Sequence, residues 1–401
     1  MRIAMIGQKG IPASWGGVER CVEELSTGLI RRGHTITVYA RKWYTQSTAD
    51  GKNALKKHSY QGVHLVFAPS LPTKHLDTIT HVLAATLHAL FQNYDVIHYH
   101  GVGPSLVAWI PRLFAPRVKI IATFHSPDRL HGKWGTIARF MLTLGEWASC
   151  HFAHETITIS QTLQQYAAET YKVPTIYIPN GVTLPHTPTK EKTDSVLRAF
   201  GLRGERYFII IARFVSHKGI HLAMDAWRRA ERDYSARMRG LQLVIIGDEQ
   251  GDKAYAATLR RMAKKIPHIV LTGWQDAETT QILLAESIAL IQPSQSEGLS
   301  IVMLEACAHG KPIIASDLPE NRELVTDRRF CYEKTKISQL EERLVWLIAN
   351  PEIAQVEGLR NREKVERHHN WDAIIRQTEH IYADAVLSRE WNWQGVQLRA
   401  E

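Results

Sequence analysis

Ser296-Glu297-Gly298-Leu299-Ser300-Ile301-Val302-Met303-Leu304-Glu305 stands between two runs of strand character, Ile288-Ala289-Leu290-Ile291 before it and Ile313-Ile314 after it. Pro293 turns the chain into the stretch, and Gly310-Lys311-Pro312 stops the helix that it opens. The order is therefore strand, loop, helix, strand. Glu297 falls in the loop and Glu305 two turns into the helix. Eight helical steps span roughly 12 Å at most and return to nearly the same helix face. That is the reach of an extended phosphate-linked ligand. Gly298 leaves the backbone bare for a close approach, and the helix N-terminus offers N–H groups to an anion. A carboxylate at Glu305, in an otherwise apolar helix, is costly unless partnered. A loop carboxylate plus a buried ion pair would satisfy the same pattern. The residues alone leave both readings open.

The chain has 401 residues, more than one hydrophobic core usually supports, so two domains are expected. With 44% hydrophobic and 22% charged residues it has the make-up of a soluble globular protein. No apolar run approaches the roughly 18 residues of a spanning helix. The first apolar run, Met1 to Gly7, is too short for a signal peptide and reads as a first strand. Cys21, Cys150, Cys307 and Cys331 lie far apart and match neither a disulfide framework nor a zinc spacing. Buried free thiols in a reducing cytoplasm are expected. Charge is unevenly placed. Residues 1–185 carry 18 Lys and Arg against 10 Asp and Glu, whereas the remainder is nearly balanced. Twelve of the 20 histidines also lie in the first part. That half suits an anionic partner or simply a solubilising basic surface.

Arg2 to Gly7 is followed by a glycine-containing loop ending in Gly16-Gly17, a helix from near Val18 to Gly33, and the strand Ile36-Thr37-Val38-Tyr39. This unit implies a parallel sheet with helices packed on it. Its glycines do not spell G-x-G-x-x-G, and no Gly-Lys-Ser/Thr of a P-loop is present. Residues 43–75 are polar and basic, with Lys74 near their end. Strands follow at 63–66, 95–100 and 119–125. His98 and His100 share one face of their strand; a satisfied pair at a cleft is expected there rather than a metal site. His125 ends a strand, where open parallel sheets bind ligands. It suits a sugar hydroxyl or a proton, and equally a strand end with no ligand role. Arg129, Lys133 and Trp134 lead into an amphipathic helix over 136–149 with Arg139, Phe140, Leu142 and Trp147. That mixture suits a membrane interface, and it also suits an ordinary core-facing helix. Runs at 156–160 and 175–182 close the first sheet, and residues 184–192 read as a linker.

A second series of strands begins at Tyr207 to Ala212, Leu243 to Asp248 and Ile269 to Trp274. Arg213 and Lys218 bracket a strand end and a helix start, a competent diphosphate clamp. Arg213/Lys218, Gly247-Asp248 and Glu297 all fall at strand ends, so they should face one crevice. Asp276 reads as a helix cap rather than part of an Asp-x-Asp. Trp371 to Val386 is a last long helix, followed by the aromatic tail Trp391-Asn392-Trp393.

Taken together, Gly16-Gly17-Val18-Glu19, Pro179-Asn180-Gly181-Val182, Arg213…Lys218-Gly219, Val244 to Asp248, Pro293-Ser294…Glu297-Gly298…Glu305-Ala306 and Trp371…Tyr382 resemble the retaining glycosyltransferases of family 4. The resemblance covers nearly the whole chain. The opening Gly7-Gln8-Lys9-Gly10-Ile11-Pro12 and His125…Asp128-Arg129 look like a bacterial, rhamnosyltransferase-like subgroup. The resemblance implies an α/β chain of two Rossmann-like parallel-sheet domains facing a central cleft, the GT-B fold. Residues 1–185 with about 372–401 would form the acceptor-side domain, the last helix crossing back to it, and 186–371 the nucleotide-sugar-binding domain. It implies that Arg213 and Lys218 hold the donor's diphosphate, and that Glu297 contacts the sugar. Backbone N–H groups near Gly298, Leu299 and Ser300 would meet the phosphates, with Gly247 at the same sheet edge, and Glu305 would bind the ribose. Gly16 and Gly17 would let the first domain close over the diphosphate, and His125 would lie near the sugar. No metal or other cofactor is expected. One departure is Ser316-Asp317-Leu318-Pro319-Glu320, where many members have a glycine pair.

The expected function is transfer of a hexose-type sugar from a nucleotide-diphosphate sugar to a glycan or lipid-linked acceptor, in bacterial surface polysaccharide or glycolipid synthesis. The protein would be cytoplasmic, with its basic half meeting the acceptor or the anionic inner face of the membrane. Two other classes fit parts of the pattern: a GT-B nucleotide-sugar epimerase, and a non-catalytic sugar- or nucleic-acid-binding protein. Arg213, Lys218, Glu297 and Glu305 together argue against the last, and no nucleic-acid partner is expected.

Overall fold

The computed structural model describes residues 1–388 apart from 48, 72, 74, 75 and 131–134. Lys74, Lys133, Trp134 and the Trp391–Trp393 tail, singled out above, lie outside the described residues.

Two sheets organise the chain. The first contains β1 (Arg2–Ile6), β2 (Thr35–Ala40), β3 (Ser59–Tyr60), β4 (Val63–Phe67), β5 (Val96–His100), β6 (Lys119–Phe124), β7 (Glu155–Thr158) and β8 (Ile176–Tyr177). Their order is β3-β4-β2-β1-β5-β6-β7-β8, parallel except for the short edge pair β3–β4. The second contains β9 (Tyr207–Ile211), β10 (Gln242–Ile246), β11 (Ile269–Gly273), β12 (Ala289–Gln292), β13 (Ile313–Ser316) and β14 (Cys331–Tyr332). Their order is β11-β10-β9-β12-β13-β14, all parallel. The central strands β1, β5, β9 and β12 are buried along nearly their whole length because helices cover both faces. In each sheet the order reverses once, between β1 and β5 and between β9 and β12. The crevice at such a reversal is where an open parallel sheet accepts a ligand.

The last helix, Trp371–Leu387, does cross back. Ile374, Ile375, Ile381 and Tyr382 pack with Ile3, Met5, Val22 and Leu25 in the first domain's core. Gly28 makes room for it: a Cβ there would lie 2.1 Å from Ile375 Cδ1. All four cysteines are buried and unpaired.

Three boundaries differ from expectation. The helix after Glu297 starts at Ile301, so Glu305 sits just over one turn in, not two. The side chain of Ser300 caps it by accepting the Met303 N–H at 3.4 Å, and that hydrogen bond fixes the later start. The expected strand over 175–182 shrinks to β8, because the chain leaves the sheet toward Asn370, which bridges to Val182. The expected linker over 184–192 is shorter, since Thr189 caps a helix at Lys190–Ala199.

Candidate active site

Arg213, Lys218 and Glu297 follow β9 and β12, the two strands at the second sheet's reversal. Their loops are fastened backbone to backbone. Gln295 N–H donates to the His217 carbonyl at 2.8 Å. Gly219, at φ 66°, lies so close to Pro293 that a Cβ would fall 2.0 Å from its carbonyl oxygen. Only glycine suits that backbone and that gap. The result is a direct ion pair: Lys218 Nζ donates to Glu297 Oε1 at 2.5 Å, both side chains largely buried. Gln292 Nε2 donates to the same carboxylate at 2.8 Å. Burial pushes the Glu297 carboxyl up. The charge and hydrogen bond of Lys218, with Ser294 and Arg213, outweigh that and hold it below the ordinary carboxylate range. Glu297 is therefore ionised near neutrality, and a cation stands beside it.

Glu305 has the opposite surroundings. It keeps some solvent access, and burial raises its carboxyl to about 7, opposed by Arg20 across the interdomain gap. Among the described residues no side-chain hydrogen bond reaches it.

The first domain faces these groups closely. A Cβ on Gly298 would fall 2.0 Å from the His125 carbonyl oxygen. Gly17 opens the Gly17–Arg31 helix and lies 3.5 Å, Cβ position to Cδ1, from Ile301. Asn180 Nδ2 donates to the Leu299 carbonyl at 3.3 Å. On the far side Glu323 accepts the Thr162 N–H at 2.8 Å, at the N-terminus of the Gln161–Tyr171 helix. His125 is buried, and burial lowers its imidazole to about 4 although Asp128 and Glu19 oppose this. It is neutral near pH 7. His125 Nε2 lies 3.4 Å from His100 Nδ1 with the two rings stacked, and the His98 ring tilts against His100, centroids 4.0 Å apart, while bonding the Tyr382 hydroxyl at 2.6 Å. The three rings pack in a row. Among the described residues no set of three His, Cys, Asp or Glu side chains is arranged to hold a metal ion.

Two family models match successive parts of the chain, one on each side of this cleft: Glycosyltransferase Family 4 over residues 15–185 and Glycosyl transferases group 1 over residues 197–364. The chain is a glycosyltransferase of the family 4 type. The glycosyltransferase is 23% identical to the O-antigen chain mannosyltransferase C of Escherichia coli over 97% of this chain and 100% of that protein. It is 24% identical to a GDP-mannose-dependent alpha-(1-6)-phosphatidylinositol monomannoside mannosyltransferase of Mycobacterium tuberculosis, covering 90% and 93%. Among solved structures it superposes on sucrose-phosphate synthase from Thermosynechococcus elongatus, with a TM-score of 0.78 at 20% identity, covering 96% and 98%. It superposes on Anabaena HepE in complex with UDP, with a TM-score of 0.74 at 17% identity, covering 96% and 100%. These likenesses show the GT-B fold.

Not every residue singled out from the sequence converges. Asp248 turns away to Arg260 at 2.5 Å. Gly247 is spent inside the second domain, against the Ala212 carbonyl. Asp276 caps its helix, accepting the Thr279 N–H at 2.8 Å. The departure at Ser316–Glu320 is braced by side chains: Ser316 Oγ donates to the Ser294 carbonyl at 2.5 Å, and Arg322 and Arg328 hold Asp317. Glu19 and Lys9, given no role from the sequence, also lie beside the groups of the site. Glu19 is buried beside Gly16, accepts the Lys9 N–H at 3.1 Å, and lies in the field of Arg213. Burial raises its carboxyl, but Lys9, the backbone N–H groups and Arg213 bring it below the ordinary range. The signal was its place one turn after the paired glycines, on the face that looks back at the loop.

Proposed function

We propose that the chain moves a hexose-type sugar, with retention at the anomeric carbon, from a nucleotide-diphosphate sugar to a glycan or lipid-linked acceptor in bacterial surface polysaccharide or glycolipid synthesis. The observation that carries this reading is the buried Lys218–Glu297 pair at the sheet reversal, opposite Gly17 and His125. Cleaving the bond from the anomeric carbon to the diphosphate leaves an electron pair on a phosphate oxygen. In this reading Lys218 and Arg213, with the first N–H groups of the Ile301–Ala308 helix, stabilise that charge. The acceptor oxygen bonds to the anomeric carbon from the side the diphosphate leaves, and the acceptor proton passes to the leaving phosphate. Ionised Glu297 accepts hydrogen bonds from the sugar, Glu305 from the ribose, and neutral His125 meets the sugar from the first domain. A covalent glycosyl–Glu297 adduct trapped during turnover would count against this front-face course.

The side chains supply the positive field that other transferases draw from a metal ion, so EDTA should leave the rate unchanged. A chelator-sensitive rate restored by a divalent cation would reverse that part of the proposal. Two relatives are named as mannosyltransferases, which makes GDP-mannose the first donor to test, beside UDP- and dTDP-sugars. Incubation with a lipid-linked acceptor should give an α-configured product from an α-configured donor. Interconversion of nucleotide sugars with no acceptor present would favour an epimerase instead.

A further inference from the structure

The Thr136–His151 helix leaves Ile137, Phe140, Met141, Leu144 and Trp147 on the surface, Ile137 at 82% exposure and Phe140 at 61%. Their spacing of three and four residues puts them on one face. The helix is held from behind. Gly145 lies against the Val102 carbonyl, Gly103 against Leu142, and buried Glu146 accepts from Arg129, Tyr166 and Tyr171. The chain following Val102–Ser105 runs on into the helix Trp109–Phe114, which exposes Trp109, Leu113 and Phe114. Val107 and Ala108 just before that helix, and Ile110 within it, share a buried cluster with Val82, Ala85 and Ala89 of the Asp77–Leu90 helix, which exposes Leu83 and Leu87. Three neighbouring helices on one side of the first sheet thus turn large apolar side chains outward, more than scattered surface residues would account for.

Charge decides the occupant. From Val96 to His154 the sequence has six Lys and Arg and just two acids, Asp128 and Glu146. Glu146 is buried, and the Ser126 hydroxyl donates to Asp128 at 2.6 Å. Arg117 and Arg139 are exposed beside the apolar side chains. A second copy meeting this face about a two-fold axis would set these cations against themselves with no carboxylate between them. An anionic lipid surface receives both the apolar side chains and the cations.

We propose that this face of the first domain docks on anionic membrane lipid, with the Thr136–His151 helix lying in the interface. The helix begins eleven residues after His125, so docking brings the mouth of the cleft to the lipid and serves a lipid-linked acceptor. The docking itself does not depend on the donor reading. The full chain should co-sediment at low salt with phosphatidylcholine vesicles containing phosphatidylglycerol, less with phosphatidylcholine alone, and progressively less as salt rises. Ile137→Glu/Phe140→Glu should weaken that binding by roughly tenfold or more, and Arg139→Glu, at an exposed position, should weaken it separately. Both variants should keep the wild-type melting temperature and donor-induced thermal shift. No co-sedimentation of wild type with anionic vesicles, or binding untouched by either variant, would overturn the proposal. So would a vesicle-free dimer that the double variant dissociates, since it would assign the face to a second copy.

Discussion

Glu297 and Glu305 lie on one short segment, yet their carboxyls are shifted in opposite directions. Glu297 is kept below the ordinary range by Lys218 against the pull of burial, whereas burial raises Glu305 to about 7 with only Arg20 opposing. Their consequences should therefore separate. Glu297→Ala should mainly slow transfer, while Glu305→Ala should mainly weaken donor binding, by roughly 10- to 100-fold for a lost charged hydrogen bond. Calorimetric donor affinities beside turnover rates check this; equal losses of affinity in both would undo the assignment. Ribose hydroxyls are donors to an ionised carboxylate, so donor affinity should fall as pH drops through about 7, and Glu305→Gln should flatten that dependence. The stability sign is opposite to that of a salt-bridged acid. Between the ordinary carboxylate range and about 7 the unfolded chain has lost the Glu305 proton and the folded one keeps it. The folded state therefore loses stability as pH rises through that window and levels off above it. Donor-free Glu305→Gln should melt higher than wild type above pH 7 and the same in acid.

At the scale of elements, the site is two loops fastened to each other and a glycine pressed on the opposite domain. Sequence alone located the loops, because apolar runs ending in Arg213 and Pro293 mark strand ends. It misread why Gly298 is bare. The gap there is filled by the His125 carbonyl, and no periodicity within one segment reveals which distant surface approaches it. The start of the Ile301–Ala308 helix was legible in Ser300, a good cap before an apolar run, but the eye follows the apolar run back too far. Gly298→Ala should force the two domains apart near the ligand. A displacement of about 1 Å can cost ~100-fold in rate, so its kcat/KM should fall by at least roughly tenfold. Its melting temperature should stay near wild type, because each sheet keeps its own core. An unchanged kcat/KM would show that this contact does not set the catalytic geometry.

For the molecule as a whole, the alternation of strands and helices made two parallel sheets legible, and the basic first half was plain in the composition. The crossing of the last helix was implied by family likeness, and its physical reason appears in the fold: Ile374, Ile375 and Tyr382 fill the first domain's core over Gly28. What could not be read was pairing between the halves. Glu19 faces Arg213, and Arg20 faces Glu305, because only the closed arrangement of two sheets brings residues so far apart in sequence together. The proposed release of a nucleoside diphosphate rests on Lys218 and Arg213 beside Glu297. Its most direct test is the rate of nucleoside diphosphate release from GDP-, UDP- and dTDP-sugars with acceptor present, for wild type and a cooperatively melting Lys218→Ala. The expected result is release from one donor class, slowed by roughly 100- to 1,000-fold in the variant. Release from none of them, or release by the variant at the wild-type rate, would contradict the account.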